Sequence, residues 1–194
     1  MSSVFISPDM IFDGNRRINE QTAVGAFFDQ DRLDRYVEYI TAASEILAAE
    51  GVKAGLHNHV GAFVETEHEI DYVLANVDDK ILGASFDIGH LAWAGIDYLA
   101  MLRKHAHRLV DLHVKDMDLS IAEASRATPH SYYSVADQRF FLEPGLGDID
   151  LDGVLNELDR INFGGWVIIE VDRASMDPFE SAKVSWSWTD QHFA

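Results

Sequence analysis

Short apolar runs alternate with segments of helical periodicity along most of the chain. Residues 4–6 form a β-branched and aromatic run that Pro8 ends, and they predict a buried strand. Between about residues 31 and 50 the apolar positions recur at helical spacing, and Gly51 follows as a C-cap. Residues 52–56 predict the next strand. The polar stretch at residues 14–17 predicts no regular element.

The same strand–helix unit then repeats. Thr66 and Glu69 have the spacing of a capping box and predict a helix start, and Asp150 predicts another. Three further strands are predicted at residues 81–86, 109–113 and 166–171. A helix is predicted at about 97–107, no element is assigned within the connection at 117–147, and a helix closes the chain. Repeats of about 25–30 residues are typical of βαβ units in a parallel sheet.

Length and composition place this pattern in one α/β domain. The chain has 194 residues, of which 47% are hydrophobic, so residues 1–194 are expected to form a single domain with one core. Five strands are predicted. A closed (β/α)8 barrel has eight strands and typically about 250 residues, so the chain is short for a whole barrel.

Charge and cysteine content exclude several classes of partner. There are 33 acidic and 15 basic residues, for a net charge of −18, which argues against nucleic-acid binding. The absence of cysteine excludes thiolate metal sites and a cysteine nucleophile. The first residues resemble no secretory leader, and no apolar stretch reaches the ~18 residues of a membrane span, so we expect no membrane association and a cytoplasmic location.

Ligand-type side chains occur where the predicted strands end. These residues are His57 and His59, Asp87 and His90, His113, and Glu170. The carboxyl ends of parallel strands gather at one mouth, so these groups are expected to converge in space. Imidazoles and carboxylates without thiolates suit Mn²⁺, Co²⁺, Zn²⁺ or Mg²⁺. The sequence therefore predicts a divalent-metal site.

Each candidate also has a plainer interpretation. A single histidine at a strand end is more often hydrogen-bonded than a ligand, and Asp87 could simply cap the next turn. Glu170 interrupts an apolar run, where an unpaired carboxylate would cost several kcal/mol. Lys115 could contact a substrate oxygen or form a salt bridge, and Trp93 could line a pocket or belong to the core. The recurrence over four strands favours the metal site.

Four ordered motifs resemble the xylose isomerase-like TIM-barrel superfamily of sugar phosphate isomerases and epimerases. These motifs are DIGHLAWAG at 87–95, LHVKD at 112–116, PGLGDID at 144–150 and GGWVIIEVD at 164–172. The motif LHNHVG at 56–61, followed by VET at 64–66, is most similar to the inosose dehydratase branch. The resemblance extends from about residue 52 to residue 178.

The resemblance implies one divalent metal bound at four strand ends. It places the ligands on Asp87, His113, Glu170 and His57, with His59 as a less favoured choice for the fourth. Many isomerases and epimerases of the superfamily have a glutamate where His57 stands, and they use a carboxylate on each face of the substrate. A histidine in place of that glutamate argues against an isomerase or epimerase, but it is compatible with metal-assisted elimination. His90 would contact the substrate or support the metal ligands.

The resemblance also aligns residues 4–6 with the fourth strand of the barrel. It implies a (β/α)8 TIM-barrel fold in which the first three βα units are not represented, so the chain corresponds to the C-terminal portion of a barrel. An open sheet exposes two edges and an apolar face, which is unfavourable for an isolated chain. Two alternatives are therefore expected: a shortened gene product, or a barrel that a second copy or another chain completes.

The expected function is a metal-dependent lyase of inositol catabolism that dehydrates a keto-polyol such as an inosose. Glu170 or His57 would remove the carbon-bound proton, and His90 or Lys115 would assist the departure of water. Substrate contacts are expected from His59, His90, Lys115 and Trp93. The alternatives are a metal-dependent keto-sugar isomerase or epimerase, and a truncated chain without catalysis. An abasic-site nuclease is disfavoured by the negative charge.

Overall fold

The computed structural model describes residues 2–8 and 22–193, so the polar stretch at 14–17 lies outside the described residues. The strands are β1 (Ser2–Ile6), β2 (Val52–His57), β3 (Leu82–Asp87), β4 (Leu109–Val114), β5 (Asp116–Met117), β6 (Phe141–Leu142) and β7 (Trp166–Ile169). The helices are α1 (Gln30–Ala49), α2 (Glu67–Asn76), α3 (Ile88–Trp93), α4 (Tyr98–His105), α5 (Leu119–Ala127), α6 (Tyr132–Ala136), α7 (Leu151–Arg160) and α8 (Pro178–Phe193).

Five strands form one parallel sheet in the order β1-β2-β3-β4-β7. Helices connect the strands; α1 packs against β2, and α2 packs against β3. The predicted α/β fold with five parallel strands is confirmed. This connectivity brings the carboxyl ends of all five strands to the same edge of the sheet, where the predicted ligands lie.

The helix starts follow the capping signals in the sequence. The Thr66 hydroxyl accepts a hydrogen bond from Glu69 N, and the Glu69 carboxylate accepts one from Thr66 N, so the predicted capping box is confirmed. Asp150 caps α7 through Gly153 N, as predicted. Helix α1 ends before Gly51, which has a φ of +74° that glycine adopts without strain.

Two predicted segments differ from the structure. The connection at 117–147, to which no element was assigned, contains α5 and α6 and a short antiparallel ladder between β5 and β6. The buried Asp116 carboxylate organises its end by accepting hydrogen bonds from Gly145 N and Gly147 N. Strand β7 ends at Ile169, before Glu170, although Glu170 N still donates to the Val114 carbonyl of β4.

The core is most complete at the central strands. All six residues of β3 are buried, and the core extends from there over the helices that pack on the sheet. The outer strands β1 and β7 are more accessible, with Phe5 45% and Trp166 68% exposed. Within the described ranges, no helix is long and apolar enough to cross a membrane.

Candidate metal centre

Three adjacent strands each end in a buried ligand-type side chain. His57 is the last residue of β2, Asp87 is the last residue of β3, and His113 lies directly beside Asp87 in β4. One nitrogen or oxygen atom from each of the three lies within 4.8 Å of the corresponding atoms of the other two. Alternation along the strands directs these side chains to one face, so the predicted convergence of His57, Asp87 and His113 is present in the structure.

Hydrogen bonds orient both imidazoles. His57 Nδ1 lies 3.2 Å from the Ser85 carbonyl oxygen, and His113 Nδ1 lies 2.6 Å from Glu170 Oε2. With the proton on Nδ1 of each ring, each Nε2 presents a lone pair. His113 Nε2 is buried and has no hydrogen-bond partner. A buried nitrogen without a partner beside a carboxylate fits a divalent metal, since metal-bound histidines usually donate their other N–H to a carbonyl or carboxylate.

The electrostatics of the site favour the protonation states that bind a metal. Burial lowers the pKa of His57 to about 3, so its imidazole is neutral near pH 7. Burial opposes ionisation of Asp87, but the charge of Lys115 and the hydrogen bonds from Lys115 and His90 N outweigh it and lower the pKa of that carboxyl below its ordinary value. A neutral imidazole and an ionised carboxylate are the forms that coordinate cations.

Lys115 lies at the centre of the surrounding network. Its ammonium is 2.8 Å from Asp87 Oδ2, 2.9 Å from Asp172 Oδ1 and 3.3 Å from Glu170 Oε1. Burial lowers the pKa of this lysine, but the three carboxylates outweigh burial and raise it. Three carboxylates surround one ammonium, so a divalent cation would neutralise the remaining negative charge.

A second group of possible ligands, His59, His90 and Asp172, lies beside the first. Lys115 Nζ is 3.2 Å from His90 Nε2 as well as 2.9 Å from Asp172. The ammonium lies just as close to Asp87 of the first group, so its charge does not distinguish the two groups. The buried Nε2 of His113 does distinguish them, because it belongs to the first group and has no hydrogen-bond partner. The structure favours one metal centre, at His57, Asp87 and His113.

Glu170 differs from the other predicted ligands. It follows β7, its side chain is 36% exposed, and its carboxylate contacts His113 Nδ1 and the Lys115 ammonium. In this arrangement Glu170 supports a ligand instead of joining the group of three. Its predicted role as a direct ligand remains a prediction.

The predicted substrate residues lie around His90. The His59 and His90 rings have centroids 3.7 Å apart, and Tyr132 lies 5.5 Å from His59 in a stacked arrangement. Trp93 is fully buried behind His90, and its indole N–H donates to Ser125 Oγ. We therefore expect Trp93 to support His90 from behind the pocket wall, without direct contact with a substrate.

Sequence reasoning missed three residues that contact the candidate site, namely Asn58, Tyr132 and Asp172. The Asn58 amide makes two hydrogen bonds to the backbone of Asp87. Its Nδ2 donates to the Asp87 carbonyl, and its Oδ1 accepts from Asp87 N. Tyr132 donates its hydroxyl proton to Asp172 Oδ2 over 2.7 Å. Asp172 had a usable signal, because it lies two residues after Glu170. Asn58 and Tyr132 had none, since their partners are 29 and 40 positions away.

Comparison with known proteins agrees with this geometry. Residues 14–192 match the model of the xylose isomerase-like TIM-barrel family. An inosose dehydratase of Lactiplantibacillus plantarum is 32% identical over 86% of this chain and 56% of its own length. The rhizopine catabolism protein MocC of Rhizobium meliloti is 30% identical over 81% of this chain and 47% of its own length.

The solved structures show the same fold. The IolI protein, crystallised with a bound zinc atom, superposes over the whole of this chain and 64% of its own chain, with a TM-score of 0.68 and 20% identity. The chain spans about half the length of the curated relatives that it matches. The order of its strands and its sequence similarity lead to one conclusion: this chain belongs to the xylose isomerase-like TIM-barrel family.

Proposed function

We propose that this chain carries the metal centre of a dehydratase that acts on a cyclic keto-polyol such as an inosose. The observation that supports it most strongly is the buried group of His57, Asp87 and His113, with an unpaired nitrogen of His113 directed into it. Relatives named inosose dehydratase, at about 30% identity, support the choice of substrate class. The metal would be Mn²⁺, Co²⁺, Zn²⁺ or Mg²⁺.

The roles follow from where each side chain lies. A bound divalent ion would act as a Lewis acid that makes the carbon-bound proton next to a ketone more acidic. His57 is buried in the group of three, so we assign it to metal binding and not to proton transfer. Glu170 Oε is the better base, because its side chain is partly exposed and can reach a substrate above the metal centre.

The second proton transfer requires a donor on the same side of the pocket. Lys115 Nζ carries a proton close to His90 Nε2, and the ring of His90 contacts His59. A divalent ion held by Asp87 would compete with the ammonium for that carboxylate and so weaken its hold on the Lys115 proton. We propose that Lys115 then donates a proton to the departing hydroxyl, which leaves as water, and that His90 and His59 orient the substrate hydroxyls. One base and one acid suffice for elimination.

The experiment is to incubate the purified protein with an inosose and each of the four metals in turn. We expect absorbance from a conjugated enone or diketone to appear with at least one metal, and to be lost in Asp87→Asn. Formation of an isomeric keto-sugar, detected by NMR, would favour the isomerase or epimerase alternative. A folded, metal-loaded sample that converts neither kind of substrate would contradict the proposal and favour a non-catalytic chain.

Two expectations about assembly and location remain proposals. Exposed Phe5 and Trp166 on the outer strands are compatible with a further copy or another chain beside the sheet. A cytoplasmic location is compatible with the absence of a membrane-spanning helix from the described residues. Light scattering after size exclusion tests the first, and fractionation of cells that express the protein tests the second.

A further inference from the structure

Glu65 is a buried carboxylate that has no part in the metal centre. It lies in the loop at residues 58–66, between β2 and α2, and is 4% exposed. It forms no ion pair with any residue that the structure describes, although Arg32 of α1 and Glu69 of α2 act on it electrostatically. A buried carboxylate without an ion pair is costly unless hydrogen bonds compensate it, so its position calls for a physical reason.

Two backbone amides from different parts of the chain donate to this carboxylate. Gly61 N donates to Oε2 over 2.7 Å within the same loop, and Gly25 N donates to Oε1 over 2.8 Å from a segment 40 positions earlier. Both glycines have positive φ angles, +85° and +76°. Glu65 therefore links two sharp turns that no backbone ladder connects.

Each linked segment leads to the wall of the pocket. The loop at 58–66 begins with Asn58, which brackets Asp87, and His59, which contacts His90. The segment at 22–28 begins with Thr22, whose hydroxyl donates to the His130 carbonyl and accepts from His130 N. Tyr132 follows two residues later and stacks on His59. A series of hydrogen bonds thus connects the loop that carries His59 to the segment that carries Tyr132, through Glu65 and Thr22.

We propose that Glu65 is a positioning residue whose carboxylate joins the loop at 58–66 to the segment at 22–28 and so fixes His59 and Tyr132 at the substrate pocket. The inference rests on the proposed function, because it assigns a role in the pocket of that enzyme. Glu65 touches neither a substrate nor the metal centre, and it acts through the two glycine turns.

A glutamine at this position tests the role of the carboxylate. An amide has one acceptor and one donor, so Glu65→Gln loses one of the two bonds and places a donor against a backbone N–H. Burial raises the pKa of Glu65 to about 7, and the hydrogen bonds from the two glycines oppose that rise. The glutamine variant therefore also imitates the uncharged form.

The matched control is Glu67→Gln, which makes the same change two residues later at an exposed position. We expect Glu65→Gln to raise KM for inosose about tenfold, the loss of one bond to a charged group, while kcat changes less than about twofold. Metal affinity is expected to stay within about twofold, since the three ligands lie on strands. Glu67→Gln should leave KM unchanged.

Hydrogen exchange measures the same role without any activity. Peptides covering 22–28, 58–66 and 128–132 should exchange faster in Glu65→Gln than in the parent, while 82–87 should not change. If the parent does not act on inosose, the proposed function fails, and these exchange data still decide whether Glu65 joins the two segments.

A second variant tests the proposal even if Glu65→Gln does not fold. Thr22→Val removes the two hydroxyl hydrogen bonds to His130, keeps the backbone bond from residue 22 N to the His130 carbonyl, and leaves Glu65 intact. We expect this weaker link to raise KM in the same direction, with faster exchange at 128–132. Unchanged KM in a folded Glu65→Gln variant would overturn the proposal, as would unchanged exchange at 22–28. A lower melting temperature with unchanged KM would identify Glu65 as a residue of fold stability alone.

Discussion

The carboxyl ends of the central strands and those of the outer strands differ in how firmly they place their side chains. His57, Asp87 and His113 end strands that have a neighbour on each side, and all three are buried. Glu170 follows β7, which has one neighbour among the described residues, and its side chain is partly exposed. The ligands on the central strands are therefore preorganised, whereas the group on the outer strand retains freedom to move.

Phe5, on the opposite edge strand β1, shows the same difference. Its ring lies 4.9 Å from both His57 and His113, so it reaches over the metal centre from β1, yet it is 45% exposed. The outer strands thus supply partly exposed side chains at the rim of the site, and the central strands supply the buried ligands. Substitutions on the central strands should consequently reduce metal affinity and stability far more than substitutions on the outer strands.

The largest effect is expected from Asp87→Asn. Asparagine also caps helices, so α3 should still form, but the loss of the charged ligand should weaken metal binding on the order of a thousandfold. Isothermal titration with Zn²⁺ or Mn²⁺ measures this. Asp97→Asn is the control, since Asp97 caps α4 at an exposed position and should leave the affinity unchanged. Equal affinities in both variants would show that the metal binds elsewhere.

Glu65 provides a pH-dependent test of the buried region. The pKa of this carboxyl rises from 4.5 to about 7 on folding, so the folded state binds more protons than the unfolded state between those values. The contribution of Glu65 to the free energy of unfolding should therefore fall as pH rises through that window, by about 3 kcal/mol in total.

Urea unfolding of the parent and of Glu65→Gln at several pH values isolates this contribution. The difference in free energy between the two proteins should decrease from pH 4.5 to pH 7 and then stay level. A difference that is independent of pH would contradict the assigned shift. Groups that do not interact with Glu65 affect both proteins alike and cancel in the comparison.

Asn58→Ala should have a smaller effect on the metal centre. The change removes both hydrogen bonds to the backbone of Asp87, which should lower metal affinity about tenfold and stability by about 2 kcal/mol. Metal titration and urea unfolding measure the two losses. An affinity equal to that of the parent would show that the strand alone places Asp87.

The smallest effect is expected at the outer strand β7. Trp166 is mostly exposed in the single chain, so Trp166→Ala should change the stability of the monomer by less than about 0.5 kcal/mol and leave its metal affinity unchanged. The same two measurements apply. A loss comparable to that of Asn58→Ala would mean that the outer strand is buried in solution, and an oligomeric contact would then be the first explanation to examine.

The sequence was informative wherever the argument depended on strand periodicity. Parallel strands place their carboxyl ends together, so His57, Asp87 and His113 could be assigned to one place from their positions in the pattern alone. The capping box at Thr66, the N-cap at Asp150 and the turn after α1 were equally readable, because they depend on residues only a few positions apart.

The polar network around the metal centre could not be predicted in the same way. The partners of Lys115 include Asp87 and Asp172, which are brought together by strand order and by the connection at 117–147, where no periodic pattern stood out. Glu170 looked like a buried strand residue because its neighbours are apolar, but β7 ends before it. Long-range hydrogen bonds such as those of Asn58 leave no local signal.

The most direct test of the central claim is a crystal structure of the metal-loaded protein, with anomalous data collected at the absorption edge of the metal. The account predicts one peak, within about 2.0–2.3 Å of a nitrogen of His57, an oxygen of Asp87 and Nε2 of His113, with the Lys115 ammonium still beside Asp172. A peak among His59, His90 and Asp172, or no peak in a fully loaded crystal, would contradict it.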